Sequence, residues 1–243
     1  MKAFVLAAGL GTRLKPWTLE HPKALVPVAG TPMLERVIVS LREQGFDRIL
    51  VNVHHFADQI VDFLSGRDFG IDVAVSDESE LLLDTGGALL HAAGWLCADE
   101  QPFLIHNVDI LSNADLAGLM KAHAESDADA TLLVSDRDSS RRLYFDRGMN
   151  LVGWRNFKSE ELRPAGFRVE PGLRMYAFSG IHAVSPRMLA RMRAEGYKGK
   201  FPIMDYYLAK AGASSPIRGM AADGLRLIDI GKPASLAQAE SWF

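Results

Sequence analysis

The chain has 243 residues, 48% of them hydrophobic and 23% charged, which supplies a substantial core and argues against long disorder. A formal net charge of −3 gives no electrostatic reason to expect nucleic acid or an anionic membrane as partner, so an anionic ligand must be held by local groups. The single Cys97 excludes an intrachain disulfide framework, no CxxC or Cys/His cluster offers a zinc site, and the cysteine reads as a small buried apolar residue.

Lys2 to Leu6 reads as a buried strand that runs straight into a glycine turn. Ala7 and Ala8 let the backbone come close to a ligand, Gly9 and Gly11 permit a positive φ, and such a loop can aim several N–H groups at one anion. Arg13 adds a planar fork for phosphate oxygens, and Lys23 a point charge that Pro22 and Pro27 are expected to hold in an extended, stiff segment. Two familiar phosphate motifs do not fit. After Gly9 the chain reads LGTRLK, not the GxxxxGK[ST] of a P-loop, and Leu14 stands where a dinucleotide fingerprint needs a small residue. The N-terminal apolar run ends at Gly9, too short for a secretory core or a bilayer span, so a cytoplasmic location is expected.

Next comes a helix over residues 33–44, with apolar Leu34, Val37, Ile38 and Leu41 at helical spacing and Gly45 as its stop. The rhythm repeats: strand 48–53, helix 57–64, strand 71–75, helix 86–96, strand 102–106, helix 113–123, strand 130–134. Strands alternating with helices predict an α/β fold with a mostly parallel sheet, whose ligands lie beyond the carboxyl ends of the strands. Residues 9–13, 77–87 and 107–109 all fall there. From about residue 140 short extended pieces follow at 143–145, 151–154 and 175–184, predicting a small antiparallel insertion; helices at 186–195, 203–211 and 233–242 and strands at 217–220 and 226–228 complete the chain.

Asp109 and Asp229 both end apolar strands, and two such carboxylates suit Mg²⁺, which is held by one or two of them plus phosphates and waters. The bland alternatives are an Asx turn or helix N-cap for Asp109 and an ordinary turn before Gly231 for Asp229. Asp84, Thr85, Gly86 and Gly87 either cap a helix or bring its N-terminus to a nucleotide. His54 and His55 have no second ligand set, so core or rim contacts are expected; Trp17, Trp154 and Phe178 are read as packing, and residues 137–142 as an exposed turn.

Leu6 to Thr18 and Pro22 to Met33 resemble the signature LAAGxGTRLxPxT…PKxLxPVxGxPM of the sugar-1-phosphate nucleotidyltransferases. The resemblance implies a Rossmann-like three-layer α/β/α domain over residues 1–243 with an inserted sugar-binding lid at about 138–182. It implies a Mg²⁺-dependent condensation of an NTP with a sugar 1-phosphate. Arg13 and Lys23 would be catalytic, Asp109 and Asp229 metal ligands, and Leu6, Ala7, Ala8, Gly9, Gly11, Thr12, Asp77, Thr85 and Gly86 nucleotide contacts. Asn107, Gly180, in a segment like the family's N-A-G-I, and Asp205 would meet the sugar phosphate.

Two departures stand out: Val108 replaces the family's glycine before Asp109, and Arg155-Asn156-Phe157-Lys158 replaces the E-K-P element of glucose 1-phosphate enzymes. Lys158 is a candidate for the sugar phosphate or a solvated lysine. The length is short of the bifunctional members with a C-terminal β-helix, and the DTGG segment with the missing E-K-P looks most like N-acetylmuramate 1-phosphate uridylyltransferases, linking the chain to cell-wall sugars. Two alternatives stay open: a phosphocholine-type cytidylyltransferase with Trp17, Trp154 and Tyr176 boxing a quaternary amine, and a nucleotide-binding regulatory module without turnover. Nucleobase, sugar and oligomeric state are not legible.

Overall fold

The computed structural model describes residues 1–231 and 233–242. In chain order it contains β1 (Lys2–Leu6), β2 (Pro27–Val28), β3 (Thr31–Pro32), α1 (Met33–Glu43), β4 (Arg48–Val53), α2 (Ala57–Ser65), β5 (Asp72–Asp77), α3 (Asp84–His91), α4 (Ala93–Leu96), β6 (Phe103–Asn107) and β7 (Ile110–Ser112). Then follow α5 (Leu116–Ala124), β8 (Ala130–Ser135), β9 (Arg141–Phe145), β10 (Leu151–Asn156), β11 (Glu161–Arg163), β12 (Arg174–Val184), α6 (Pro186–Ala194), α7 (Ile203–Ala209), β13 (Ile217–Ala221), β14 (Leu227–Asp229) and α8 (Pro233–Glu240). Contacts group them into two units: Met1–Leu83, Phe103–Ala117 and the chain from Arg226 on form the first, Asp84–Pro102 and Gly118–Leu225 the second.

The first unit holds a parallel sheet in the order β6-β1-β4-β5. Its central strands are continuous apolar runs because both faces are covered: Ala3, Phe4, Val5, Ile49, Leu50, Val51 and Val53 are all buried. Helix α1 turns Met33, Leu34, Val37, Ile38 and Leu41 inward, gross apolar burial on the order of 10 kcal/mol at about 2 kcal/mol per side chain. It ends where expected. Gly45 adopts φ +84°, Gly45 N–H donates to Arg42 O at 3.0 Å and Phe46 N–H to Leu41 O at 3.0 Å, the paired bonds of a Schellman stop.

The helix expected over 113–123 begins only at Leu116. Residues 110–112 instead pair antiparallel with β14, and Asn113 is tied to Arg226 through its N–H (3.2 Å to Arg226 O) and its side-chain oxygen (2.7 Å from Arg226 N). Lys23 also departs from expectation. Pro22 is extended, but Lys23–Leu25 close a single 3₁₀ turn, stapled by Leu25 N–H to Pro22 O at 3.0 Å.

The second unit is built on a sheet in the order β11-β10-β9-β12-β8-β13, antiparallel except for the β8–β13 pair. The segment 138–182, expected as an inserted lid, thus supplies β9 to β12, and these pair in one sheet with β8 and β13 from outside it. Arg141 and Arg142, expected in an exposed turn, open β9, and Arg137 donates to Phe178 O at 2.9 Å. Asp129 is fully buried, and its charge is met by Arg187 Nε at 2.9 Å and Arg191 Nη1 at 2.6 Å. Beside it His123 lies between Thr131 Oγ1 (2.8 Å) and Ser185 Oγ (2.9 Å). Burial, reinforced by Arg187, pushes its pKa down to about 4.

Candidate active site

In the first unit the carboxyl ends of three strands are level, with Leu6 in register with both Asn52 and Asn107. Beyond Leu6 the chain leaves the ladder. Ala7 and Ala8 both donate to Asn52 Oδ1, at 2.6 and 3.2 Å, so these two N–H groups are not offered to a ligand, contrary to the simple picture of the loop. Those of Gly9, Leu10 and Gly11 have no partner among the described residues.

Gly11 is where the turn requires glycine. Its φ is +61°, and a Cβ there would meet Lys23 Cβ and Thr18 Cγ2, each at 2.8 Å. Its carbonyl accepts from Leu14 N–H and Thr18 Oγ1, both at 2.9 Å, which closes the 3₁₀ turn Thr12–Leu14 and leaves Thr12 and Arg13 exposed.

Lys23 is only 8% exposed, its stem packed on Gly11 and its ammonium in an ion pair with Asp109 Oδ2. Asp109 follows β6, and Ile230 N–H donates to its carbonyl at 2.8 Å. The β7–β14 ribbon sets Asp229 opposite Ile110, one position from Asp109. At Gly231 an added Cβ would lie 2.6 Å from Arg13 Nη2 and 2.9 Å from Asp229 Oδ1, so the missing side chain is what lets that guanidinium and that carboxylate share one spot. Arg13, Asp229 and Gly231 therefore converge, as do Lys23, Asp109 and Gly11.

Asn107 ends β6, and its carbonyl accepts from Nδ1 of buried His106 at 2.8 Å. Burial holds the His106 pKa down to about 4, against the pull of that carbonyl and of the Asp109 charge. Asp77 folds back on Ser79, its Oδ1 taking Ser79 N–H at 2.8 Å. His54 Nδ1 donates to Glu78 O at 2.6 Å, His55 stacks on Phe56, and Trp17, 38% exposed, lies against His21 and is no core residue. Sequence reasoning missed Asn52, Glu78, Thr18 and Gly231; only an asparagine inside the apolar strand RILVNV hinted at the first.

In the second unit, the α3 N-terminus is taken. Thr85 N–H meets Asp84 Oδ1 at 2.6 Å, Thr85 Oγ1 accepts Ile203 N–H at 2.8 Å, and Gly86 and Gly87 N–H donate to Phe201 O at 2.9 and 3.3 Å. A Cβ on Gly86 would overlap the Phe201 ring. The local account of these small residues is therefore close packing, and any nucleotide contact at Thr85 and Gly86 falls to other atoms. Gly180 adopts φ +79° where the β12–β8 register shifts between Phe178 and His182, a bulge. Asp205, in the first turn of α7, pairs with Arg163 Nη2 at 2.8 Å; Lys158 is exposed in a turn.

Residues 3–195 match the family model of the MobA-like NTP transferase domain. The N-acetylmuramate alpha-1-phosphate uridylyltransferase of Caulobacter vibrioides is 29% identical over 250 aligned positions, 98% of this chain and 95% of that protein. The UTP–glucose-1-phosphate uridylyltransferase of Synechocystis sp. is 37% identical over 142, which is 55% of this chain; the chain spans only 37% of that longer protein. Among solved structures, HddC from Yersinia pseudotuberculosis superposes with a TM-score of 0.78 at 25% identity, covering 100% of this chain and 99% of that one, and it has also been solved with GMP-PN. With the expected α/β fold in place and a glycine loop, two cations and two carboxylates gathered at the strand ends, the chain belongs to the MobA-like NTP transferase domain family, and its relatives are sugar-1-phosphate nucleotidyltransferases.

Proposed function

We propose that the chain condenses an NTP with a sugar 1-phosphate to give an NDP-sugar and pyrophosphate. The observation that carries this is the convergence of Arg13 and Asp229 over Gly231, beside a loop whose Gly9, Leu10 and Gly11 N–H groups are free among the described residues. In the reaction a 1-phosphate oxygen attacks the α-phosphorus, the α–β bridging P–O bond breaks, and pyrophosphate leaves. The loop N–H groups bind phosphate oxygens, and Arg13 stabilises charge growing on the departing pyrophosphate. Lys23, seated on Asp109, exchanges part of that pairing for a phosphate oxygen. Such transfers depend on positioning and electrostatics, so no nucleophilic side chain is required.

Asp109 and Asp229 are the residues that would hold Mg²⁺. The fit is good: both are hard oxygen donors at adjoining ribbon positions, and Asp109 Oδ1 has no protein partner among the described residues. When bound, the ion supplies charge neutralisation at the α-phosphate. Ala7 and Ala8 would meet the nucleotide through carbonyl or Cβ atoms; Asn107 in the first unit and Gly180 and Asp205 in the second are each candidates for acceptor contacts. The full-length likeness to the Caulobacter enzyme supports UTP and N-acetylmuramate 1-phosphate as the first pair to assay, and a cytoplasmic site of action follows from the use of an NTP.

The test is pyrophosphate release with Mg²⁺ across a matrix of NTPs, sugar 1-phosphates and phosphocholine. Release with one sugar pair supports the reading. NTP binding without release in any combination overturns it.

A further inference from the structure

Asn52 stands in β4 among buried apolar neighbours and is itself 3% exposed. An amide there costs free energy unless every polar atom is met. It is met in an ordered way: Oδ1 accepts from both Ala7 and Ala8 N–H, and Nδ2 donates to Glu78 Oε1 at 2.8 Å, with Glu78 also 3% exposed. Only one orientation of the carboxamide satisfies these partners, because backbone N–H groups cannot accept and a carboxylate cannot donate. Glu78 therefore acts as an orienting acceptor, since its carboxylate oxygens offer Asn52 Nδ2 only acceptors.

One oxygen capturing two successive N–H groups has a geometric result. Leu6 still joins the ladder, its carbonyl accepting Val108 N–H at 3.1 Å, while Ala7 and Ala8 are drawn to β4. The chain must leave the sheet at that point, in that direction, and the next N–H groups are those of Gly9 to Gly11. We propose that Asn52, oriented by Glu78, is a positioning residue that aims this loop and thereby sets NTP affinity, a proposal that rests on the loop's being the NTP site.

The experiment exchanges the polarity of the pair. Asn52→Asp keeps an acceptor for Ala7 and Ala8 but sets two buried carboxylates face to face; adding Glu78→Gln restores a donor–acceptor match. In Asn52→Asp, amide exchange in a peptide spanning Ala7–Ala8 should quicken about ten-fold and the KM for UTP rise about ten-fold, with kcat changed by less than about three-fold. The double variant should return both to within about three-fold of wild type. If Asn52→Asp does not fold, Glu78→Met, which removes the acceptor, is read instead, and several-fold faster exchange with a raised KM is expected. Unchanged exchange and KM in the single variant, or no recovery in the double one, overturns the proposal. A wild-type protein inert with every NTP would sink the functional reading instead, and the exchange data would still decide the clamp.

Discussion

Gly231→Ala isolates the geometry around Arg13. The added methyl would sit 2.6 Å from Arg13 Nη2 and 2.9 Å from Asp229 Oδ1, closer than carbon tolerates. Asp229 is fixed by the ribbon, whereas Arg13 is the exposed end of a flexible side chain, so the arginine moves. Losing one preorganised donor to developing charge costs roughly 10²- to 10³-fold in kcat, about 2.7–4 kcal/mol, and a displaced arginine should lose most of that. The folded state has little to lose, since Gly231 carries no positive φ and Gly→Ala reduces the entropy of the unfolded chain. The expected result is a kcat/KM lowered about 100-fold with Tm unchanged or slightly raised. Steady-state pyrophosphate release and thermal unfolding measure the two. The decisive comparison is Arg13→Ala alone and with Gly231→Ala: if both act on one group, the double variant is no slower than Arg13→Ala. Wild-type turnover in Gly231→Ala, or losses that multiply in the double variant, would refute the reasoning.

Lys23→Met keeps the stem that packs on Gly11 while removing the ammonium, so kcat should fall about 100-fold with Tm shifted by only a few degrees; a collapse of Tm with normal kcat would make the lysine structural. His106 and His123 are held neutral, with folded pKa values near 4 against 6.5 unfolded, so their contribution is complete above pH 6.5 and is lost as pH falls through 4. That is about 3 kcal/mol each, visible as a falling urea midpoint between pH 6.5 and 4, and His106→Gln should flatten the slope; a midpoint constant over that range would contradict it. Gly86→Ala drives a methyl into the Phe201 ring and should cost about 1–3 kcal/mol in denaturant unfolding, and a wild-type midpoint would show that the ring gives way freely.

The parallel core was legible because β1, β4 and β6 are buried on both faces and read as mostly apolar runs, broken in β4 by Asn52 and in β6 by His106, and the stop at Gly45 because only glycine takes that φ readily. The loop cations and both carboxylates were legible, the carboxylates even as joint candidates for one ion, but the backbone pairing that brings them together was not. Strands of three residues, as in the β7–β14 ribbon, carry no period, so the pairing that joins Asp229 to Asp109 was invisible and Asn113 was read as helix. Long-range partners were equally hidden: Asn52 reaches Ala7 and Ala8 from another strand, and the glycine at 86 answers to Phe201. Lys23 was misjudged because the proline before it is extended while the 3₁₀ turn comes from a hydrogen bond back to that proline's carbonyl.

The β7–β14 ribbon also bears on when the protein can work. Along the chain the loop, both cations and Asp109 come before β7, whereas Asp229 and Gly231 come only after the whole of the second unit. The parallel strands can form around Asp109 alone, and on the proposed reading the cation site is completed only when β14 pairs with β7. On that reading the order of synthesis works against nucleotide turnover by any chain that stops before β14.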